Sequence, residues 1–230
     1  MLLRKKGRLL LTATILAGLA ACATDADRYY SLQPAASNGV EHTRTGKDGF
    51  DYVVSVQPVQ VPAQLDRSQI VLKGRSGDVS VLNASLWASP LPEELRLAIS
   101  SNLTRRLGVP DLPLSVAPVG LRVWSVDIDV QRFDSVYNAE SVIDMTWRIQ
   151  SKTATEAASV SICRATFAKQ VETGLAPLLE AHRNGLQTLS GLIAQQIAAA
   201  QLHPDTLIEP PAQVDQPGVV FRGCAQAKAS

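Results

Sequence analysis

From Ile143 to Gln150 the sequence alternates without a break, with Ile143, Met145, Trp147 and Ile149 in one phase and Asp144, Thr146, Arg148 and Gln150 in the other. Successive side chains of a strand point to opposite faces, so this segment must lie with one face in a core and the other toward water. The stretches at about 120–133 and 158–170 are also strand-like, and the connections are short, which predicts an antiparallel meander. In the first of them Leu121 and Val123 share one phase and Val126, Ile128 and Val130 the other, predicting a bulge near Trp124 and Ser125. A sheet with one apolar face needs a cover. Leu91, Leu95, Ile99, Leu103 and Leu107 recur at every fourth position, with Pro92, Glu93 and Glu94 in the first turn and Arg105 and Arg106 in the last, before Gly108 and Pro110. That pattern predicts a helix over 90–107. A second helix over 175–201 carries Leu179, Leu186, Leu189, Ile193 and Ile197 on its inner face and closes at His203-Pro204.

Upstream, apolar residues alternate from Phe50 to Val61, where Pro58 and Pro62 predict an edge position or an early end. Gln69–Leu72 and Val79–Leu82 read as a short strand pair with Gly77-Asp78 in the turn. With 46% hydrophobic residues the chain can build one core. The expected fold class is α/β: a single domain over 49–203, with a mixed sheet, a C-terminal antiparallel meander and two main helices packed on it. Residues 204–230 read as a Pro-rich tail (Pro204, Pro210, Pro211, Pro217) with too little periodic apolar content to fold alone.

The N-terminus reads as an export signal. Arg4, Lys5, Lys6 and Arg8 precede an apolar run from Leu9 to Leu19, which has signal-peptide length; a spanning helix takes about 20 apolar residues. The run ends in Leu19-Ala20-Ala21-Cys22, which resembles the bacterial lipoprotein box, with small residues before the cut and a thiol to acylate. The expectation is a signal peptide over 1–21, lipidation with palmitate-type chains at Cys22, and a tether over 22–48. Each buried CH₂ of such chains contributes about 0.8 kcal/mol to membrane binding. Ala23 stands where Gram-negative lipoproteins retained at the inner membrane typically carry aspartate, so the expected location is the periplasmic face of the outer membrane. Once Cys22 is acylated, Cys163 and Cys224 are the remaining thiols in an oxidising compartment, and a disulfide between them is expected.

Several function classes find no support. Lys+Arg 22 against Asp+Glu 21 leaves no basic excess for nucleic acid. Three His and three Cys are too scattered for a zinc framework, and no cofactor or metal is expected. There is no Gly-x-Ser-x-Gly elbow, and Ser100-Ser101 lies in a helix without an evident base nearby. Lacking a phosphate-cradling glycine loop, the chain leaves any ATPase activity to another subunit. Asp127 and Asp129 are spaced to share the exposed face of a strand. His42, His182 and His203 read as solvated or capping residues. No catalytic residue emerges, and the chain is not expected to be an enzyme.

Tyr29-Tyr30-Ser31-Leu32, Val54-Ser55-Val56-Gln57-Pro58-Val59, Pro62 to Val71 and Leu86-Trp87-Ala88-Ser89-Pro90-Leu91, behind the lipoprotein box, resemble the ABC-type transport auxiliary lipoproteins, the PqiC-like group. The resemblance covers roughly residues 22 to 200. It implies a periplasmic lipoprotein working beside an MCE-domain transporter protein to move lipids or other hydrophobic molecules between the two membranes, in support of envelope integrity. It also implies partner-interaction candidates at Tyr29, Tyr30, Leu32, Asp66 and Arg67, with Tyr29, Tyr30 and Leu32 adding a strand or a docking plug to the domain instead of remaining loose, and a homo-oligomer. Asp66 is expected to bond backbone N–H groups of its turn and Arg67 to pair with a carboxylate. The alternative is an exported hydrolase or a cell-wall-binding lipoprotein, which a preformed cleft with a nucleophile beside a base would favour.

Overall fold

A computed structural model describes residues 26–33, 49–118, 120–152, 159–203 and 206–228; Cys22, the 1–21 segment, His42 and most of the tether lie outside the described residues. Eight strands form one sheet: β1 (Arg28–Tyr30), β2 (Tyr52–Val56), β3 (Gln69–Lys73), β4 (Val79–Trp87), β5 (Arg122–Val136), β6 (Glu140–Lys152), β7 (Ser159–Gln170) and β8 (Val219–Lys228). Their order is β1-β4-β3-β5-β6-β7-β8, with β2 beside β5. The helices are α1 (Leu91–Leu107) and α2 (Leu175–Leu202). The sheet is mixed: β5 to β8 form an antiparallel meander, whereas β1 on β4 and β2 on β5 are parallel.

The alternating segment is the centre of the core. Trp147 lies in register with Ile128 on one side and Cys163 on the other, and all three are buried. The opposite phase carries Asp144 and Arg148, which pair with Arg164 and Asp127 on neighbouring strands. The two helices pack on each other, α2 against β6 and β7 and α1 against β2. Leu179, Leu186, Leu189, Ile193 and Ile197 are all buried, as are Leu91, Leu95, Ile99 and Leu103. Gly108 takes φ 68° and ends α1, a left-handed conformation that costs a glycine little. At Gly185 the helix comes so close to the sheet that a Cβ would lie 2.6 Å from Phe167 Cδ1 and 2.8 Å from Ile143 Cδ1.

Four features correct or refine the sequence reading. The phase change near Trp124 and Ser125 is not a bulge: Val123, Trp124, Ser125 and Val126 are all buried, so both phases face protein, and the register shift falls between Val130 and Arg132. Of the two outcomes expected from Pro58 and Pro62, β2 shows the early end, at Val56, and is not an open edge. Its free side is taken by Pro110–Leu112, where Val54 N donates to Pro110 O at 3.1 Å and Leu112 N to Val54 O at 2.9 Å. Within the stretch 22–48 read as tether, residues 28–32 belong to the domain, Tyr29 and Tyr30 through the added strand β1 and Leu32 as a buried plug, as the family resemblance implies. Part of the Pro-rich stretch also returns, because β8 pairs with β7 along its length and Ile208 is buried.

Pairing explains how a segment with weak periodicity joins the sheet. Cys163 and Cys224 are in-register partners joined as a disulfide across 61 residues, with Cα atoms 4.0 Å apart. From α2, the buried Gln196 donates through Nε2 to Glu209 O at 2.9 Å and holds the returning chain over the core. A covalent loop of this size removes up to about 4 kcal/mol of chain entropy from the unfolded state. The oxidised full chain, unfolded without reductant, is therefore expected to show no reactive thiol at positions 163 and 224 in a labelling assay. Cys224→Ser is expected to lose about 2–4 kcal/mol in a denaturant titration.

Candidate functional site

After β1 the chain turns into the domain and is held from both helices. Glu94, in the first turn of α1, is 1% exposed, and its Oε2 accepts from Ser31 Oγ at 2.8 Å and from Leu32 N at 2.9 Å. Arg183 of α2 donates to Ser31 O through Nε at 3.1 Å and Nη2 at 2.8 Å. Glu94 sits where the helix dipole favours a carboxylate, and both polar atoms of the Ser31–Leu32 peptide are satisfied by charged partners. Beside this clamp is a groove of about 380 Å³ lined by Leu32, Gln33, Asn102, Glu180, Asn184 and Gln187 together with Ser31 and Arg183. Amides and a guanidinium can hydrogen-bond an extended segment there, and the one lining hydroxyl, Ser31 Oγ, is committed to the Glu94 carboxylate.

Three segments that carry the family resemblance meet at this end of the sheet. Tyr30 is the register partner of Trp87, and Ala88 N donates to Tyr30 O at 2.8 Å. On the other side of β4, Trp87 N donates to Ser68 O at 2.7 Å and Leu91 N to Arg67 O at 3.4 Å. Trp87 itself is buried, edge-on to Phe133 at 6.2 Å. Asp66 and Arg67 follow a short 3-10 turn, Ala63–Leu65, and both are exposed. The turn is closed by main chain, Asp66 N to Ala63 O at 3.3 Å and Arg67 N to Leu65 O at 2.8 Å. Among the described residues the Asp66 carboxylate accepts from no backbone N–H of its turn and Arg67 pairs with no carboxylate. Tyr29 is 65% exposed, Tyr30 half-buried, and Leu32 is enclosed by the chain's own core, leaving Tyr29, Asp66 and Arg67 as the outward-facing members of the set.

His182, read as a solvated residue, is completely buried. Its ring stacks on Phe133 with centroids 4.0 Å apart, Nε2 is 2.8 Å from Ser135 Oγ and Nδ1 is 2.9 Å from Ser141 Oγ. In a neutral imidazole one nitrogen donates and the other accepts, so both serines satisfy it. Burial pushes its pKa down from 6.5 to about 3, against a smaller upward pull from Asp134. A serine beside a histidine invites a nucleophile–base reading, but Ser135 and Ser141 are buried and the adjoining cavity is about 10 Å³. That volume is at the lower limit for one water. Position 182 falls between Leu179 and Leu186 on the inner stripe of α2, and this spacing was the signal for burial.

The open face of the meander is ion-paired. Arg164 forms a bidentate pair with Asp144 at 3.0 and 2.8 Å, and those hydrogen bonds hold the Asp144 carboxyl below the usual range despite its burial. Asp127 lies 3.5 Å from Arg148, while Asp134 accepts from Lys73 and Arg132. Asp129 is exposed at a shallow cleft of about 210 Å³ with Gln60 and Thr146. Among the described residues no three His, Cys, Asp or Glu side chains are grouped to hold a metal, and no helix is long and apolar enough to cross a membrane.

Comparison with known proteins follows the same segments. The sequence profile of one family, the ABC-type transport auxiliary lipoprotein component, matches residues 30–194. The intermembrane transport lipoprotein PqiC of Escherichia coli (strain K12) is 26% identical over 119 residues, 52% of this chain and 60% of that protein; PqiC of Shigella flexneri matches equally. The matched segment thus spans less than two thirds of these curated relatives. A crystal structure of an uncharacterized protein shares the fold, with TM-score 0.53, 21% identity, and coverage of 75% of this chain and 99% of that one.

Glu94→Ala leaves Ser31 Oγ and Leu32 N without their acceptor, and is expected to lower the local stability of residues 28–33 by about 1–3 kcal/mol, read as faster amide exchange at Leu32. His182 gives a pH dependence. Above about pH 6.5 its ring is neutral folded and unfolded; below that the unfolded chain gains a proton that the folded chain refuses down to about pH 3. Stability should fall by about 1.4 kcal/mol per pH unit through pH 6 to 5, ahead of carboxylate titration. In His182→Gln that slope should vanish from the denaturation midpoints.

Proposed function

The chain belongs to the ABC-type transport auxiliary lipoprotein family, and from that premise we propose that it is the outer-membrane-anchored accessory subunit of an MCE-type system carrying lipids or other hydrophobic molecules between the two membranes. It works by association rather than turnover. The observation that carries this reading is the meeting of three family segments around Trp87, which presents Tyr29, Asp66 and Arg67 outward at one end of a rigid sheet. Exposed charges and an aromatic on a fixed scaffold are the makings of a partner surface. The anchor is acylated Cys22, and the sheet stands on the periplasmic side. Homo-oligomerisation is part of the proposal. Since the free side of β2 is occupied, the support for it shifts to β8, whose outer edge pairs with no strand among the described residues.

In cells, the full-length protein is expected to crosslink to and co-purify with an MCE-domain protein of the same system. Reversing both charges, Asp66→Lys with Arg67→Glu, should reduce the yield of that complex several-fold without changing the thermal midpoint. Cys22→Ser should move the protein out of the outer-membrane fraction. Hydrolysis of an ester or glycan by the purified protein, abolished by one substitution, together with no MCE partner, would decide for the exported hydrolase.

A further inference from the structure

The direction of β1 says which part of the domain the anchor brings to the bilayer. Because β1 is parallel to β4, with Arg28 opposite Ser85, going back toward the N-terminus from Arg28 means going along β4 from Ser85 toward Val79. Six residues separate Arg28 from Cys22, and six separate Ser85 from Val79. The chain before Arg28 therefore reaches at most about 20 Å. It cannot pay out more length from the domain side while Glu94 and Arg183 grip Ser31 and Leu32.

That end of the sheet has its own surface chemistry. The β3–β4 hairpin closes through Gly74 N to Asp78 O at 2.8 Å and places Val79, 60% exposed, and Val81 on the same strand face. The β5–β6 turn lies beside it: Tyr137 N donates to Lys73 O at 3.2 Å, and Arg75 Nη2 donates to Asn138 O at 3.1 Å. Tyr137 is itself 43% exposed. Tyrosine favours the headgroup level of a bilayer, where its ring is apolar and its hydroxyl wet, and an arginine can meet phosphates there. Asp78, Glu140 and Glu172 belong to the same end, so it has no strong net positive charge to bind lipid unaided. The anchor has to deliver it.

We infer that this hairpin end, through Val79, Val81, Arg75 and Tyr137, rests on the phospholipid surface that holds acylated Cys22. The inference rests on the anchor reading of the proposed function and adds the orientation. Asp66 and Arg67, at the opposite end of β3 and β4, then face away from the membrane.

The test uses the full-length acylated protein in vesicles of phosphatidylethanolamine and phosphatidylglycerol carrying a headgroup-bound quencher, with an environment-sensitive fluorophore at Val79→Cys, Tyr137→Cys or, at the far end, Gln64→Cys. Quenching several-fold stronger at positions 79 and 137 than at 64 is expected. Equal or stronger quenching at 64, or none at 79 and 137 in protein that floats with the vesicles, overturns the orientation and leaves the anchor standing. Failure of the acylated protein to float overturns the anchor reading and the orientation with it. The same vesicles should not retain Cys22→Ser; retention of that variant with unquenched probes would equally overturn it.

Discussion

An indole buried in a dry core must find an acceptor, and in this domain that requirement organises the centre. Trp147 is wholly enclosed, and its Nε1 donates to Gln196 Oε1 at 2.7 Å. An unmade hydrogen bond there would cost about 1–3 kcal/mol, so α2 is bound to the sheet in one position along its length. Once Gln196 is placed, its Nε2 has a fixed direction and reaches Glu209 O, beside the half-cystines of β7 and β8. One side chain thus joins central strand, covering helix and returning chain. Trp124 repeats the arrangement a turn further on, donating to Gln201 Oε1 at 3.0 Å.

What could be read from the sequence was what repeats over short distances. The alternation through Trp147, the every-fourth leucines of α1 and the stripe of α2 are local periodicities, and they place three strands and two helices close to where they occur. Reading failed where burial is two-sided, as at Val123–Val126, because alternation disappears when both faces meet protein. It failed again at β8, where Gly223 and small residues break the pattern and membership in the sheet comes from pairing with β7. Contacts across 62 and 152 residues, Glu94 with Leu32 and Arg183 with Ser31, leave no local trace. Glu94 looked like any acid in a first helical turn.

For the candidate site, recognition found the segments but not their roles. Asp66 was expected to bond the backbone of its turn and Arg67 to pair with a carboxylate; the main chain closes the turn, and both side chains are exposed. Leu32 went the other way, from candidate contact to core. His182 shows that residue type alone misleads on a helix, since phase decides burial and chemistry follows from burial. Between the two ends of the sheet, β4 runs its eight steps, about 27 Å, so a surface at Trp87 and one at Val79 are held apart by a stiff element.

That arrangement has a mechanical side. A load applied through the residues before Arg28 and resisted at the Asp66–Arg67 end pulls β1 along its own axis, parallel to β4. The hydrogen bonds of the β1–β4 pair, the two that Glu94 accepts and the two from Arg183 then share the force in shear instead of opening one after another as in unzipping. A three-residue strand is a weak element by equilibrium measures, yet loaded lengthwise and riveted from two helices it behaves as a strain-bearing joint.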